Sequence, residues 1–417
     1  MKIKILHIAT DTYGGAGNAM LRLHTSLLSQ NVDSKVLVRD SNVQDIPFVY
    51  NNLEENRSGF FYVTKLGRFI RRYLHKLGIY ISARDFIQEK RKLIDRSVCF
   101  TLPISSYDVL SHNLVDWADI IHLHWVQDFL DYPSFFSRVK KPIIWTCHDL
   151  NSIMGGFHHI RLKEQHMSLH GRVELLCYKI KKKSIKKCNN LNIVALSSEM
   201  LSLFLNHELY QGRTIYHIPN CVDTSIFCIG EKYNVRNKFS IDLNSYIILF
   251  ANGNLNDPEK GLLELIKALE ILNNKKITLL CVGDGIIPQT CIRVVHIPRI
   301  TTAKEMSEMY QLADLLVMPT HQEAFALTPL EAMSCGKPIV ITPVSGAKDL
   351  IRDFNGVVAN DFSPESISGA IKKALSSIYD ANKIRNYIIK NYSLKVVGKL
   401  YLDAYLKTID DCKNYSQ

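Results

Sequence analysis

The chain has 417 residues, of which 47% are hydrophobic and 22% are charged, and its formal net charge is +11. These values are typical of a globular protein with two domains, and no apolar run reaches the roughly 18 residues of a membrane-spanning helix. The ten cysteines have no metal-like spacing, so they indicate buried thiols in a reducing cytoplasm and argue against disulfides or a zinc site.

The positive charge is concentrated in the first half of the chain. Residues 1–218 hold 29 Lys and Arg against 19 Asp and Glu, whereas the remaining residues hold 22 against 21. Nucleic acid, an anionic membrane or a phosphorylated acceptor would each explain this excess. Because no RNP sequence or zinc finger is present, nucleic acid is not expected as a partner.

A glycine loop follows the first predicted strand, residues 3–9, and precedes a predicted helix. Glycine lets the backbone approach a ligand closely. The loop also resembles part of a dinucleotide fingerprint, with Gly15 and Gly17 in place and Asp40 after the second predicted strand. Met20 occupies the position of the third glycine, so the fingerprint is incomplete.

Residues 60–81 are amphipathic at helical spacing. Apolar residues recur on one side, at Val63, Leu66, Ile70, Tyr73, Leu77 and Ile81. Basic residues fall elsewhere, at Lys65, Arg68, Arg71, Arg72 and Lys76. An ordinary helix with a solvated basic face and a membrane-surface helix are both consistent with this pattern. A second basic run, residues 179–187, is typical of a solvated helix face.

Two buried strands are predicted at residues 119–125 and 141–149, and both end in polar or aromatic residues. His148 lies at the end of the second strand. An isolated histidine is more often structural than functional, so both roles stay open for it. His122 and His124, on the first strand, are interpreted as supporting residues.

The second half repeats the alternation of strands and helices. Strands are predicted at residues 246–251, 277–285, 294–300, 315–318 and 338–342, and Lys260 opens the helix after the first of them. The alternation predicts an α/β protein with parallel sheets.

Two carboxylates follow the strand at 315–318. Glu323 lies in a loop, and Thr328, Pro329 and Glu331 are predicted to occupy the N-cap, first and third positions of the next helix. In one interpretation Glu331 completes a capping box and Glu323 is a solvated charge. In the other, both serve a ligand, because open α/β sheets bind ligands at the carboxyl ends of their strands.

Residues 319–340 read P-T-H-Q-E-A-F-A-L-T-P-L-E-A-M-S-C-G-K-P-I-V. This text, with its Glu-x7-Glu spacing, resembles the GT-B glycosyltransferases, and specifically the retaining family 4 type that includes many bacterial polysaccharide and lipopolysaccharide enzymes. The resemblance covers nearly the whole chain and is weakest over residues 42–105. Ala324 and Ala326 stand where that family usually has glycine.

The resemblance implies an α/β GT-B fold of two Rossmann-like parallel-sheet domains facing across a cleft. The expected domains are residues 1–219 on the acceptor side, 220–395 for the nucleotide sugar, and a C-terminal helix, 396–417, that returns to the first domain. The implied reaction moves a sugar from a nucleotide diphosphate sugar to an acceptor hydroxyl with retention. It needs no metal and no cofactor, and the departing phosphate takes the acceptor proton.

The resemblance also implies roles for individual residues. Glu331 would bind the ribose, Glu323 the sugar hydroxyls, and His148 would lie against the transferred sugar. Residues expected at the diphosphate or the base are Gly14, Gly15, Asn254, Lys260, Arg299 and the backbone of Phe325, Ala326 and Leu327. Asn254 replaces the arginine that is usual in the family. Phe157 replaces a usual cysteine, and the role of His158 therefore stays open.

Enzymes of this resemblance commonly act on lipid-linked or oligosaccharide acceptors in O-antigen, capsule or exopolysaccharide assembly. The protein is therefore expected in the cytoplasm, at the inner face of the cell membrane, with Arg68, Arg71 and Arg72 toward the anionic surface. Two alternatives remain: a nucleotide-sugar 2-epimerase on the same fold, and a non-catalytic, membrane-bound protein that binds nucleotide sugars.

Overall fold

The computed structural model of the protein describes residues 2–43, 45–53, 64–77, 79–95, 98–239, 242 and 244–414. The chain divides into two units. Unit 1 consists of Met1–Ala195, Leu201–His217 and Tyr401–Gln417, and unit 2 of Leu196–Met200 and Ile218–Leu400. The chain passes between them at 195/196, 200/201, 217/218 and 400/401. The sequence predicted domain boundaries at 219/220 and 395/396.

Unit 1 is built on a parallel sheet of seven strands. They are β1 (Lys4–Asp11), β2 (Asp33–Asp40), β3 (Val49–Tyr50), β4 (Ile120–Leu123), β5 (Ile143–Cys147), β6 (Leu191–Ala195) and β7 (Ile215–His217), in the order β3-β2-β1-β4-β5-β6-β7. Every residue of β4 and β5 is buried, as expected for parallel strands covered on both faces. The strand order reverses between β1 and β4, where open sheets bind their ligands.

The helices of unit 1 follow its strands. They are α1 (Gly14–Ser29), α2 (Lys65–Lys76), α3 (Ala83–Arg91), α4 (Asn113–Trp117), α5 (Tyr132–Arg138) and α6 (Ile160–Ile185). Helix α2 lies within the amphipathic stretch predicted at 60–81, of which residues 60–63 and 78 lie outside the described residues. The next helix, α7 (Ser198–Leu205), is shared by the two units.

Unit 2 is built on a parallel sheet of six strands. They are β8 (Tyr246–Asn254), β9 (Ile277–Asp284), β10 (Arg293–Ile297), β11 (Leu315–Met318), β12 (Ile339–Ile341) and β13 (Gly356–Val358), in the order β10-β9-β8-β11-β12-β13. The order reverses between β8 and β11. Two Rossmann-like parallel sheets confirm the predicted α/β fold class.

The helices of unit 2 lie between its strands in the chain or follow them. They are α8 (Lys232–Lys238), α9 (Leu262–Leu272), α10 (Ala303–Leu312), α11 (Leu327–Ser334), α12 (Ser345–Lys348), α13 (Pro364–Ser376) and α14 (Ala381–Tyr392). The core includes Leu265, Leu269 and Ile371, which are buried with the strands. The last helix, α15 (Leu394–Asn414), begins in unit 2, and its residues from Tyr401 belong to unit 1.

The basic run 179–187 is not the uniformly solvated face that the sequence predicts. Lys181 is 1% exposed, and its Nζ donates to the carbonyl and to Oδ1 of Asn151, both at 2.6 Å. Burial lowers the pKa of Lys181 to about 8. Consecutive residues point about 100° apart around a helix, so a run of lysines in α6 cannot keep every side chain in water.

All ten cysteines are free thiols. Cys99 in unit 1 and Cys291 in unit 2 are exposed, and most of the others are buried. No helix in the described ranges is long and apolar enough to cross a bilayer.

Candidate functional site

The loops after β8 and β11 are fastened to each other where the strand order of unit 2 reverses. Oγ1 of Thr320 and the N–H of His321 both donate to the carbonyl of Glu259, at 2.9 Å. Gly261 has a φ of +73°, and a Cβ added there would lie 2.2 Å from the carbonyl oxygen of Pro319. Only glycine fits this position, which brings the residue before it, Lys260, against the β11 loop.

Lys260 and Glu323 form an ion pair across these two loops. Nζ of Lys260 lies 3.1 Å from Oε2 of Glu323, and the side chains are 29% and 21% exposed. The Glu323 carboxylate raises the pKa of Lys260, which therefore stays a cation. The two residues that the sequence singled out, 63 positions apart, thus meet at the switch point and remain accessible to solvent.

Helix α11 begins earlier than the sequence predicts, so the predicted capping box is wrong. Its N-cap is Ala326, which makes no side-chain cap bond, and its first helical residue is Leu327. Pro329 is therefore the third helical residue, where its missing N–H costs nothing because the first N–H groups of a helix have no intrahelical partner. Glu331 is then the fifth helical residue, two positions beyond the one that a capping box uses.

Glu331 instead accepts a hydrogen bond inside unit 2. The Tyr310 hydroxyl donates to its Oε2 at 2.6 Å, and the two residues are 7% and 0% exposed. This bond holds the carboxylate of Glu331 from inside unit 2.

The backbone of residues 324–327 is held in place ahead of α11. Nδ2 of Asn220 donates to the carbonyl of Phe325 at 2.9 Å. A Cβ added to Gly346 would lie 1.8 Å from the carbonyl oxygen of Ala324, so only glycine allows this close approach. The N–H groups at the start of a helix can bind an anion, and here they belong to Ala326, Leu327 and Thr328.

Asn254 and Arg299 lie near one another at the ends of β8 and β10. Oδ1 of Asn254 accepts from the N–H of Asn256 at 3.1 Å. Arg299 is exposed, and its guanidinium carbon lies 3.9 Å from the place a Cβ on Gly253 would occupy. A cation therefore lies beside the residue that precedes Asn254, close to where the resembled family carries its arginine.

In unit 1, helix α1 begins directly in the glycine loop. Gly14 has a φ of +72°, and a Cβ on Gly14 or Gly15 would meet nothing within 4 Å. Gly17 differs, because its Cβ would lie 2.4 Å from the backbone of Thr12. Gly17 is therefore explained by packing of α1 on its own loop, whereas open space lies beside Gly14 and Gly15.

His148 follows β5 and is partly exposed. Its Nε2 lies 3.1 Å from Nδ1 of His124, which follows the neighbouring strand β4. Burial lowers the pKa of His148 to about 4, against a smaller opposing effect of Asp149. At neutral pH the His148 ring is therefore uncharged.

Asp149 and His158 form a buried ion pair that the sequence did not predict. Nδ1 of His158 donates to Oδ2 of Asp149 at 2.6 Å, and Nε1 of Trp125 donates to the same oxygen at 2.9 Å. Burial opposes the charge on His158, but the Asp149 carboxylate outweighs it and raises the pKa of His158 to about 10. The pKa of Asp149 is correspondingly lowered.

Glu174 and Lys181, both on α6, fasten the chain that follows His148. Glu174 accepts from the N–H groups of Gly155 and Gly156 at 2.8 and 2.6 Å, and Lys181 binds Asn151. Neither residue could be singled out from the sequence, because α6 reads as an ordinary helix. Asp149 could have been singled out, because it comes directly after His148.

The basic residues of α2 do not share one environment. Nε of Arg71 lies 2.6 Å from Oδ1 of the buried Asp85, and the Arg71 side chain is 20% exposed, so its charge is already paired within unit 1. Arg68 and Arg72 are exposed. Large apolar side chains of α2 and its end are also exposed, at 61% for Leu66, 66% for Phe69, 59% for Tyr73 and 58% for Leu77. Helix α2 thus packs its polar face on α3 through ion pairs and leaves its apolar face outward.

Two groups of side chains among the described residues have spacing that could hold a metal ion. One contains His7, His122 and His124, and the other contains His75, Asp85 and Glu89. In the second group Arg71 already pairs with both carboxylates, which opposes a further cation.

Residues 231–392, most of unit 2, match the family model described as glycosyl transferases group 1. An uncharacterized glycosyltransferase of Methanocaldococcus jannaschii is 24% identical over 310 residues, which are 70% of this chain and 76% of that protein. The lipopolysaccharide 1,2-N-acetylglucosaminetransferase of Salmonella typhimurium is 23% identical over 232 residues, which are 50% of this chain and 60% of that protein.

The solved structure of HepE from Anabaena in complex with UDP and glucose is similar in fold. Its TM-score is 0.64 at 16% identity, and the match covers 97% of this chain and 99% of that chain. The two parallel sheets match those of GT-B structures. Together with the family match in unit 2, these findings support a GT-B glycosyltransferase.

Proposed function

We propose that the protein transfers a sugar from a nucleotide diphosphate sugar to an acceptor hydroxyl, with retention at the anomeric carbon. The observation that carries this proposal is the Lys260–Glu323 pair, which lies at the switch point of unit 2 within the segment that matches glycosyl transferases group 1. A cation can bind the diphosphate of such a donor, and a carboxylate beside it can accept hydrogen bonds from the adjoining sugar.

The proposed roles follow from the chemistry of each group. Departure of the nucleotide diphosphate builds up negative charge, which Lys260 and the N–H groups at the start of α11 would stabilise. Glu323 would accept hydrogen bonds from sugar hydroxyls, and Glu331 from the ribose. Arg299 would supply the second cation near Asn254, in place of the family's arginine. No step of this scheme needs a metal ion or a cofactor.

A donor screen tests the proposed function. Thermal unfolding would be followed with UDP, GDP, ADP and CMP and with their sugar conjugates, because a ligand that binds only the folded protein raises its melting temperature. The sugar conjugate of the best nucleotide would then be incubated with saccharide acceptors, with and without EDTA. We expect a new glycosidic bond with the donor's anomeric configuration, formed equally fast with EDTA.

Three outcomes of the screen would contradict the proposal. A free sugar isomer without a new bond would indicate a 2-epimerase. Binding without turnover would indicate a non-catalytic nucleotide-sugar-binding protein. Loss of activity with EDTA and its return with Mg²⁺ or Mn²⁺ would refute the metal-independent scheme.

The bond of Glu331 to Tyr310 and its proposed bond to ribose can be separated by substitution. Glu331→Gln keeps an oxygen that accepts from Tyr310, so we expect a nearly unchanged melting temperature. Loss of a charge-assisted hydrogen bond to ribose should weaken nucleotide binding by about 10- to 100-fold, measured by calorimetry. Tyr310→Phe is the matched variant, and it should lower stability while reducing nucleotide affinity less than Glu331→Gln does. If Glu331→Gln lowered the melting temperature and left nucleotide affinity unchanged, Glu331 would be a purely structural residue.

We also propose that the acceptor is lipid-linked or an oligosaccharide, and that the protein acts at the cytoplasmic face of the cell membrane in surface polysaccharide assembly. The similarity to a lipopolysaccharide N-acetylglucosaminetransferase supports this pathway. The charge excess of residues 1–218 and the outward apolar face of α2 support contact with an anionic lipid surface.

Charge reversal on α2 tests this contact. Each Arg near an anionic surface contributes about 1 kcal/mol, so Arg68→Glu with Arg72→Glu should weaken binding to phosphatidylglycerol vesicles by about 30-fold or more at low salt. Arg71 is left intact because its substitution would break the pair with Asp85. The control carries the same charge change on exposed residues of α13, Lys372→Glu with Lys373→Glu. Equal losses in both variants, or no vesicle binding by the native protein, would refute specific contact through α2.

A further inference from the structure

Three histidines of unit 1 form a hydrogen-bonded chain that crosses three neighbouring strands. His7 lies on β1, His124 follows β4 and His148 follows β5. Nδ1 of His7 lies 3.0 Å from Nε2 of His124, and Nδ1 of His124 lies 3.1 Å from Nε2 of His148. The chain therefore runs from the core to the partly exposed ring of His148.

The inner end of this chain is closed. His7 is 0% exposed, and its Nε2 has no hydrogen-bond partner among the described residues. His122 packs beside the chain, but Tyr405 and Thr146 already occupy its two nitrogens, at 2.7 and 2.8 Å. Both nitrogens of His124 are occupied within the chain, so a metal ion at this cluster would have to displace existing hydrogen bonds.

All three rings are neutral. Burial lowers the pKa of His7 and His124 well below the ordinary value, with neighbouring histidines adding to the effect, and burial also lowers that of His148. Each neutral ring carries one N–H, and each hydrogen bond needs one donor and one acceptor. The N–H groups along the chain can therefore all point inward, toward His7, or all point outward, toward His148.

The two directions differ at Nε2 of His7. If protons point inward, His148 donates to His124, His124 donates to His7, and His7 is left with a buried N–H that has no acceptor. If protons point outward, the unpaired atom is a lone pair. Because unpaired buried N–H groups are rarer than unpaired buried acceptors, the outward direction is favoured.

We infer that His7 and His124 fix the tautomer of His148, so that His148 presents Nδ1–H as a hydrogen-bond donor. The contact of His148 with the sugar rests on the proposed function. In that function, His148 donates a hydrogen bond to an oxygen of the transferred sugar and does not act as a base. His7 and His124 are positioning residues.

The tautomer can be measured directly in the full-length protein labelled with ¹⁵N-histidine. Long-range ¹H–¹⁵N correlation spectra distinguish a protonated Nδ1 from a protonated Nε2, and the His148 signals are assigned by their absence from His148→Gln. We expect the proton on Nδ1 of His148. A proton on Nε2 would overturn the inference, whether or not the protein proves to be a glycosyltransferase.

A matched pair of variants tests the role of His124. His124→Gln keeps an N–H that can donate to His148, whereas His124→Met has nearly the same shape and no donor. We expect Nδ1–H to persist in the glutamine variant and the proton to move to Nε2 in the methionine variant. His24→Gln is the control for loss of a buried histidine outside the chain, because His24 bonds Ser34 and Pro47. An unchanged His148 tautomer in the methionine variant would contradict the inference.

Turnover of UDP-glucose, followed as released UDP, is a second readout. In metal sites, removing the hydrogen-bond partner that orients a histidine lowers metal affinity or activity by about 10- to 100-fold. The methionine variant should therefore lose at least about tenfold in kcat relative to the glutamine variant. If the native protein does not turn over UDP-glucose, the spectra still decide the tautomer. Stoichiometric zinc in the purified protein would overturn the inference in favour of a histidine metal site.

Discussion

Lys260→Ala is expected to lower kcat/KM for the sugar donor by about 10²- to 10³-fold, the usual cost of removing one group that stabilises developing negative charge. The melting temperature should change little. Lys260 is 29% exposed and Glu323 is 21% exposed, so the carboxylate that loses its partner keeps access to water.

The matched control is Lys267→Ala, an exposed lysine on the neighbouring helix α9. It should leave both kcat/KM and melting temperature at native values. Initial rates with saturating donor and thermal unfolding of the same preparations provide the comparison. Near-native turnover of Lys260→Ala at saturating donor would remove Lys260 from the diphosphate site.

Asp149→Asn is expected to destabilise the protein by about 3 kcal/mol near pH 7, because removing one member of a buried ion pair leaves the other without compensation. His158 is 2% exposed and Asp149 is 15% exposed, so little water reaches the pair. The free energy of unfolding would be measured by urea titration. Asp116→Asn, an exposed aspartate on α4, is the control and should cost almost nothing.

The same pair predicts a pH dependence. The pKa of His158 is raised to about 10 in the folded protein, so its stabilising contribution is complete below the unfolded value of about 6.5 and is lost as pH rises toward 10. The pKa of Asp149 is lowered, so its contribution is present above about pH 4 and is lost on acidification. Asp149→Asn should flatten the decline between pH 6.5 and 10, and an unchanged slope would contradict the pairing.

The fold was predictable because buried parallel strands read as short apolar runs. The apolar run at residues 315–318 is β11 with the same bounds. Both faces of that strand are covered, so apolar and polar residues need not alternate along it. Lys260 and Glu323 were also singled out from the sequence, each in a loop that follows a strand, but the ion pair between them was not predicted.

Other features depend on contacts that periodicity does not encode. Proline suits the first and the third helical position alike, so Pro329 could not locate the start of α11. The amphipathic pattern around Arg71 shows that α2 has two faces, but it does not show which face packs on the protein. The ion pairs of Arg71 with α3 determine that face. The Glu174 bonds to Gly155 and Gly156 join a helix to a loop, and neither segment has a pattern that indicates the other.

The cysteines have a practical consequence for measuring motion. Burial raises the pKa of Cys147 and Cys281 to about 12, which keeps those thiols in their unreactive form at neutral pH. Cys99 and Cys291 are exposed, so maleimide dyes should modify them first. Since one belongs to each unit, the native chain already provides two labelling positions for energy transfer. Fluorescence of a doubly labelled sample would show whether a bound nucleotide changes the separation of the units.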